Sequence, residues 1–368
     1  MTVYYALLIG AVVVGFPLCK NQKPLYVKIY LSLVFAAFFA AAAVRNISGY
    51  DYNLYAGWYN ELVFKNYDWL MSWSREKGFA VPFKILTVVT QHYQWMFVYI
   101  ALVISVGVTL YIYKFSSKAY VSVALFISFG LYYNTLNFMR QFIAAIVCSF
   151  ALSYIQSKQP LRFLVLVFFA SCFHYSALLL IPFYLILKIK LNWVVLALYC
   201  VIAAVTYIYS NPIVEYVTEY FYKGYDPLES VHMLSGIPVR YVVFFAVLFA
   251  VCFFFRKELV KKRELNSVML SAFFFCVYFQ FLGTKHSILS RFSLLFMIAP
   301  VIVLLPDVIT VIMDKITEKF GEEKKSKVYK ALVISAFSVY SLVVHALLLA
   351  NNYNGVVPYQ TIFANSGL

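Results

Sequence analysis

Long apolar runs separated by short polar segments make up most of the sequence. A helix needs about 20 apolar residues to cross the hydrocarbon core of a membrane. Runs of about that length cover 3–19, 27–44, 94–113, 139–157, 191–209, 238–255, 265–282, 291–313 and 329–350, and a weaker one covers 119–133. This pattern predicts an all-α, polytopic membrane protein that forms a single integral membrane domain over residues 1–368.

Two further apolar segments do not fit a single crossing. Residues 79–91 form a short segment, which predicts a half-helix or interfacial helix belonging to an outer loop. Residues 163–187 form a long apolar run that is interrupted around His174. We interpret this run as either two short helices or a re-entrant hairpin, with His174 at its outer tip.

The basic residues predict the orientation of these helices. Most of the 30 Lys and Arg residues fall into six clusters, at Lys20/Lys23/Lys28, Lys114/Lys118, Lys158/Arg162, Lys188/Lys190, Arg256–Arg263 and Lys315–Lys330. Cytoplasmic loops carry an excess of Lys and Arg. If all six clusters are cytoplasmic, the chain crosses an even number of times between them. This predicts about 12 transmembrane helices with both termini outside, cytoplasmic basic loops at 256–264 and 315–330, and structured outer loops at 45–93 and 210–237.

The composition agrees with a membrane protein and limits the partners. Hydrophobic residues make up 64% and charged residues 12% of the chain, yet its net charge is +15. Such a charge on a soluble protein would indicate nucleic acid, but here most of the excess lies in the predicted cytoplasmic segments. We therefore expect a lipid bilayer, and not nucleic acid, as the partner. The sequence contains no GxxxxGK[ST], HExxH or CxxC motif, so neither a nucleotide-driven pump nor a metal or other cofactor is predicted.

A few ionisable residues at the rims of the spans carry the candidate chemistry. They share the predicted outer side, and they are Arg45, Asp51, Glu76, Arg140, His174 and Arg291. Ionisable groups in such positions are costly and often functional. Three guanidiniums around one cavity would form an anion site, because Arg holds phosphate in a bidentate manner. His174, Asp51 and Glu76 are the candidates for activating an acceptor hydroxyl.

Each of these residues also has a structural alternative. Arginines at span ends can be interface anchors whose charged heads reach the water. A lone histidine can be a packing residue, and the two carboxylates can cap helices or pair with neighbouring bases.

Several short motifs occur in a defined order along the chain. They are Arg45 with Gly49-Tyr50-Asp51-Tyr52, Glu76-Lys77-Gly78-Phe79, Lys114-Phe115-Ser116, Met139-Arg140-Gln141, Phe173-His174-Tyr175-Ser176, Arg291-Phe292 and Pro358-Tyr359. In order and spacing this set resembles the EpsG family, whose members are Wzy-type polymerases of bacterial O-antigen, capsule or exopolysaccharide synthesis. Phe142 departs from the pattern, which has a small residue at that position.

The resemblance implies a glycosyltransferase that needs no metal. Such a polymerase joins oligosaccharide repeat units carried on undecaprenyl pyrophosphate at the outer, periplasmic face of the bacterial plasma membrane, and a chain-length regulator protein is a possible partner. The resemblance assigns pyrophosphate binding to Arg45, Arg140 and Arg291. It assigns catalysis or sugar positioning to His174, Asp51 and Glu76. Tyr52, Gln141 and His286 are predicted to bind substrate.

Two other functions remain open at this stage. A flippase for the same lipid-linked sugars is one alternative, although flippases commonly have repeated halves and polar residues deep in many spans. The other is a membrane O-acyltransferase that modifies polysaccharide. His174 suits acyl transfer, but three outward arginines would then have no obvious role.

Overall fold

The computed structural model describes residues 1–73, 76–221, 236–321 and 324–364. Within these ranges the chain is almost entirely helical. Helices α1 to α10 are Thr2–Cys19, Pro24–Ala43, Tyr52–Phe64, Tyr67–Trp73, Lys77–Val89, Gln94–Phe115, Ala119–Ser128, Leu131–Asn137, Met139–Gln156 and Pro160–Ser171. Helices α11 to α20 are Leu180–Ile186, Trp193–Ile208, Ser210–Phe221, Val239–Phe254, Arg256–Lys262, Leu265–Gly283, Ser287–Ser290, Leu294–Ala299, Leu305–Phe320 and Lys324–Ala350.

Shorter elements connect or interrupt these helices. They are the 3-10 helices Tyr175–Leu179, Arg291–Ser293 and Tyr353–Gly355, the π-helical turn Pro300–Leu304, and the two-residue strands β1 (Arg45–Asn46) and β2 (Gln360–Thr361). The π-helical turn joins α18 to α19 without a break. The segment Ser287–Phe320 therefore acts as one long apolar helix.

The helices confirm an all-α, multi-pass membrane protein. In the described ranges seven helices are long and apolar enough to cross a membrane, or ten if each of three bent pairs is one span. The prediction of about 12 crossings needs two more, α10 and the segment Tyr175–Ile186. Each is only about 18 Å long at 1.5 Å per residue, against a hydrocarbon core of about 30 Å. The structure does break the 163–187 run at His174, and it forms a short helix over Lys77–Val89.

Three helix pairs are bent sharply. The weak run predicted at 119–133 is two helices, α7 and α8, that meet at 58°. Gly130 joins them with φ +76°, a left-handed conformation that favours glycine. Helix α12 bends by 67° into α13, so the predicted outer loop 210–237 begins as a helix. The rest of that loop, 222–235, lies outside the described residues.

The predicted polar loops at 256–264 and 315–330 are largely helical. Residues 256–262 form α15, and residues 315–320 and 324–330 are the facing ends of α19 and α20. Helix α15 buries the apolar Leu259, and α19 buries Val311 one turn before its charged end. A helix can thus carry many charges and still pack against the bundle, which is why charge density alone misassigned these segments as loops.

Contacts sort the polar segments into two ends of the bundle. At one end, which we call the basic end, Arg263 Nη1 donates to the Phe115 carbonyl at 2.8 Å. Arg263 also lies 3.5 Å from the buried carboxylate of Asp307. Lys315 and Glu258 pair at 2.5 Å nearby. This end therefore collects segments from the basic clusters.

Segments that lie outside the six basic clusters meet at the other end of the bundle, which we call the site end. Strand β1 pairs antiparallel with β2. The Gly49 N–H donates to the Gly355 carbonyl at 2.9 Å, and the Gly78 N–H donates to the Cys172 carbonyl at 2.9 Å. The core between the ends is centred on α9, α16 and Ser287–Phe320, most of whose residues are buried, while α1 and α20 lie at the periphery.

Candidate active site

An ion pair between Glu76 and Arg140 lies at the site end. Arg140 is the second residue of α9, and Glu76 immediately precedes α5. Arg140 Nη1 and Glu76 Oε2 are 2.6 Å apart, and the two side chains are 21% and 14% exposed. The pair is thus largely withdrawn from solvent while part of the guanidinium stays accessible.

Aromatic side chains of α3 and α5 surround Arg140. Its Cζ lies 4.5 Å from the ring centre of Trp58 and 5.8 Å from that of Phe79. Arg140 Nε donates to the Tyr55 hydroxyl at 3.3 Å. Stacking on an aromatic face favours a planar cation. These contacts fix the orientation of the guanidinium.

The turn that precedes the first 3-10 helix closes over Glu76. The Tyr175 N–H donates to Glu76 Oε1 at 3.3 Å. The start of α5 lies so close to this turn that a Cβ on Gly78 would come within 2.8 Å of the Cys172 Cβ and 2.9 Å of its carbonyl oxygen. A glycine is needed here because the two backbones almost touch.

His174 lies in the same turn, between α10 and the 3-10 helix that follows. Its Nδ1 accepts a hydrogen bond from the Ser176 N–H at 3.2 Å and lies 2.7 Å from the Ser176 hydroxyl. Burial and the nearby positive charges of Arg140 and Arg291 lower the pKa of His174 to about 3. The imidazole is therefore neutral at physiological pH.

Arg291 reaches the cluster from the other side of α9. Gln141 Nε2 donates to the Arg291 carbonyl at 2.7 Å, which ties the second 3-10 helix to α9. The Arg291 guanidinium lies 5.5 Å from the ring centre of Phe138. Two arginines thus approach one histidine from separate elements.

Glu76 is the titratable carboxyl of this cluster. Burial raises the pKa of Glu76, and the Arg140 charge and the Tyr175 N–H offset part of that rise. A carboxyl whose pKa moves toward the working pH is a better proton acceptor for a hydroxyl.

Arg45 lies in a different environment from Arg140. Its side chain is 2% exposed. Its Nη1 donates to the carbonyls of Ser48 and Leu136, and its Nη2 lies 3.0 Å from the Met139 sulfur. The guanidinium also lies 5.0 Å from the ring centre of Phe97. These bonds fix the segment that leads into α9, directly before Arg140.

The remaining predicted residues contact other groups of the site end. Tyr52 is buried, stacks on Phe97 with ring centres 4.3 Å apart, and lies 3.2 Å from Gln94 through its hydroxyl. The backbone N–H of Asp51 donates to Asn137 Oδ1 at 2.9 Å, just before α3. His286 Nε2 lies 3.0 Å from Asn211 Oδ1, at the start of α13. The five residues that the structure brings together are Glu76, Arg140, Gln141, His174 and Arg291.

One buried histidine was not predicted from the sequence. His345 lies inside α20 with no exposed surface, and its Nδ1 is 2.9 Å from the Tyr133 hydroxyl. The available signal was an ionisable residue in the middle of an apolar span. No short motif surrounds His345, so the motif pattern does not select it as a candidate site residue.

Comparison with known families identifies the family to which this chain belongs. Among the described residues, no group of three or more His, Cys, Asp and Glu is arranged to hold a metal ion. The family model of the EpsG family matches residues 28–361. The chain belongs to the EpsG family. No curated protein and no solved structure matches it significantly.

Membership of the EpsG family gives the general activity. The family consists of membrane proteins of the polysaccharide-polymerase type, with glycosyltransferase-like activity. The helices and the family together indicate a multi-pass protein of the bilayer that takes part in polysaccharide biosynthesis with a lipid-linked substrate.

Proposed function

We propose that this EpsG-family protein joins oligosaccharide repeat units carried on undecaprenyl pyrophosphate, at the outer face of the bacterial plasma membrane. The supporting observation is the convergence of Arg140, Arg291, Glu76 and His174 at the end of the bundle that lacks the basic clusters. Positive-inside charge bias favours an outward orientation for that end. The topology of about 12 crossings, which counts α10 and the segment Tyr175–Ile186 as two short crossings, belongs to this proposal.

The proposed reaction is a single glycosyl transfer. An acceptor hydroxyl on one lipid-linked unit attacks the anomeric carbon of the chain on another. A new C–O bond forms, the bond between that carbon and the pyrophosphate oxygen breaks, and the hydroxyl proton passes to a carboxylate. Undecaprenyl pyrophosphate leaves with the additional negative charge.

Arginines stabilise the leaving group in this scheme. Arg140 and Arg291 are only partly buried and can reach a bound anion, and fixed cations in a partly dry site stabilise developing charge strongly. Arg45 was predicted as a third ligand, but binding pyrophosphate would require it to leave its carbonyl partners. We assign it instead the positioning of the chain before Arg140.

Glu76 is the favoured base of the reaction. Its two oxygens accept bonds from Arg140 and Tyr175 but retain further acceptor capacity. Asp51 is the alternative carboxylate. Gln141 would position Arg291, while Tyr52 and His286 would line the path of the sugar chain.

The test measures the chain length of surface polysaccharide in a strain that lacks this gene and carries either the wild-type gene or a variant. We expect the wild-type gene to restore long polysaccharide, and Arg140→Ala or Arg291→Ala to leave a single repeat while protein levels in the membrane stay normal. The physical reason is the loss of a cation opposite the leaving pyrophosphate. A gel of surface polysaccharide and an immunoblot measure the two quantities.

Arg240→Ala is the matched control. Arg240 is an exposed arginine of the same end, bonded to Asn351 at 2.9 Å, and its loss should not shorten the chains. Normal chain length in both site variants would overturn the proposal. Accumulation of lipid-linked units on the cytoplasmic side would indicate a flippase, and loss of acetyl groups at normal length would indicate an acyltransferase.

A further inference from the structure

The hydrogen bonds of His174 determine which of its ring nitrogens carries the proton. A backbone N–H can only donate, so Nδ1 must accept from the Ser176 N–H. In a neutral imidazole only one nitrogen is protonated. The hydrogen of the His174 ring is therefore on Nε2, and the ring caps the 3-10 helix Tyr175–Leu179 through Nδ1.

The charges around His174 favour this neutral form. Arg140 and Arg291 both act on the ring with positive charge, and burial also disfavours a charged imidazole. The Glu76 carboxylate bonds to neighbours of His174. It accepts hydrogen bonds from Arg140 and from the N–H of Tyr175, the residue after His174. Among the described residues no carboxylate is hydrogen-bonded to the His174 ring, and such a partner usually helps an imidazole to accept a proton.

We propose that His174 is a neutral hydrogen-bond donor that presents Nε2–H to an anionic pyrophosphate oxygen of the lipid-linked substrate. This proposal rests on the proposed function. Arg140 and Arg291, whose charges both act on His174, define where an anion would lie, and His174 is the uncharged donor beside them. A donor whose proton is already in place needs no proton uptake when the substrate binds, and it stabilises charge that develops on the leaving group.

The same geometry argues against His174 as the base. Nε2 already carries a hydrogen, and Nδ1 holds the end of the 3-10 helix. Proton uptake at Nδ1 would require the ring both to release the Ser176 N–H and to become a cation beside two arginines. A donor role needs neither change.

Two amide substitutions separate the functions of the two nitrogens. Asn places a polar atom near the position of Nδ1 and is a good cap, whereas Gln extends an amide N–H near the position of Nε2. We expect His174→Gln to retain much of the transfer rate in membrane vesicles. We expect His174→Asn to lose about 100-fold, the usual effect of removing one such donor.

His92 provides the matched control. Its Nδ1 accepts from the Gln94 N–H at 3.2 Å, which is the same two-residue cap on an exposed histidine. His92→Gln and His92→Asn should both leave the transfer rate unchanged. If either slows transfer as much as its counterpart at position 174, the effect is one of capping alone and the proposal is wrong.

The remaining outcomes are also decisive. Any result in which His174→Gln is not more active than His174→Asn contradicts the donor role. A wild-type rate that falls at low pH, together with a loss of that fall in both variants at position 174, would identify His174 as a base. Failure of the wild-type gene to lengthen chains would instead contradict the proposed function itself.

Discussion

At the residue scale, Glu76 and Arg140 illustrate how one contact can serve two roles. The carboxylate holds the guanidinium in place at 2.6 Å, and its second oxygen receives the Tyr175 N–H at 3.3 Å. Charged hydrogen bonds of this kind are short and directional. In the proposed function, the pair orients a cation for the leaving group and keeps a carboxylate beside it for the acceptor.

Glu76→Gln should remove the base while keeping an oxygen for the Tyr175 N–H. We expect a loss of about 100-fold or more in transfer rate, the usual contribution of a general base. Because the pKa of Glu76 is raised above its ordinary value, the wild-type rate should fall as the pH drops through that raised value. The measurement is the transfer rate in membrane vesicles as a function of pH. The rate of Glu76→Gln should not show this fall at low pH.

Glu61→Gln is the control for this substitution. Glu61 pairs with Lys65 at 3.9 Å on an exposed surface of α3, and exposed pairs contribute little. Its rate and pH profile should match the wild type. If the transfer rate of Glu76→Gln still falls at low pH, the base is Asp51 and not Glu76.

The sequence selects the candidate site residues better than it predicts how they pair. Glu76, Arg140, His174 and Arg291 stand out because charged residues are rare in this chain. The pairing of Glu76 with Arg140 joins positions 64 apart, so no local pattern encodes it. The burial of Arg45 was equally hidden, since its partners are backbone carbonyls that any sequence supplies.

At the element scale, short helices place the site. Helix α5 begins directly after Glu76, and α10 ends just before the turn that holds His174. Both are shorter than a full crossing. The two elements meet through backbone contacts at Gly78 and Cys172, so the geometry of the candidate side chains Glu76 and His174 depends on how closely these helices approach.

Gly78→Ala should therefore disrupt the site without removing a functional group. The new methyl would meet the Cys172 carbonyl oxygen at 2.9 Å, and overpacking of this kind costs about 1–3 kcal/mol. We expect α5 to move away from the 172–175 turn, the Glu76–Tyr175 bond to lengthen, and chain growth to fall. Polysaccharide chain length and thermal stability in detergent are the measurements.

Gly57→Ala is the matched control, because Gly57 lies within α3 and a Cβ there meets no atom within 4 Å. It should leave chain length unchanged and stabilise the helix slightly. Normal chain growth in Gly78→Ala would show that the close approach of α5 and the turn is not required.

Apolar periodicity predicts straight spans well but not their bends. The break at His174 was foreseeable, since a histidine in an apolar run is costly. The 58° bend between α7 and α8 was not. It depends on the positive φ of Gly130, and a lone glycine in an apolar run is also compatible with an unbroken helix.

At the scale of the whole molecule, the two ends differ in charge. The pairs Arg263–Asp307 and Lys315–Glu258 lie at the basic end, and the Glu76–Arg140 pair lies at the site end. The contacts of Arg263 with Phe115 and Asp307, and of Lys315 with Glu258, bring segments of three predicted basic clusters to one end of the bundle. The charge rule groups segments by their basic residues alone, so it does not depend on helix boundaries.

Cysteine labelling tests the orientation. In a background with Cys172 and Cys200 replaced by Ser, since both are exposed, an impermeant maleimide should label Asn351→Cys on intact cells. It should label Lys262→Cys only after permeabilisation, because position 262 lies at the basic end. The reverse pattern would place the site end in the cytoplasm and contradict an extracellular polymerase.

The pairing of β1 with β2 has a consequence for biogenesis. Arg45 lies on β1, and the neighbouring Ser48 hydroxyl is 3.4 Å from the N–H of Gln360, a residue 312 positions later. The ribosome therefore completes nearly every helix before the segment that leads toward the site is held in place. A partly inserted chain would have its arginines but not their final arrangement, so the cell's lipid-linked precursors would meet an active enzyme only after membrane insertion is finished.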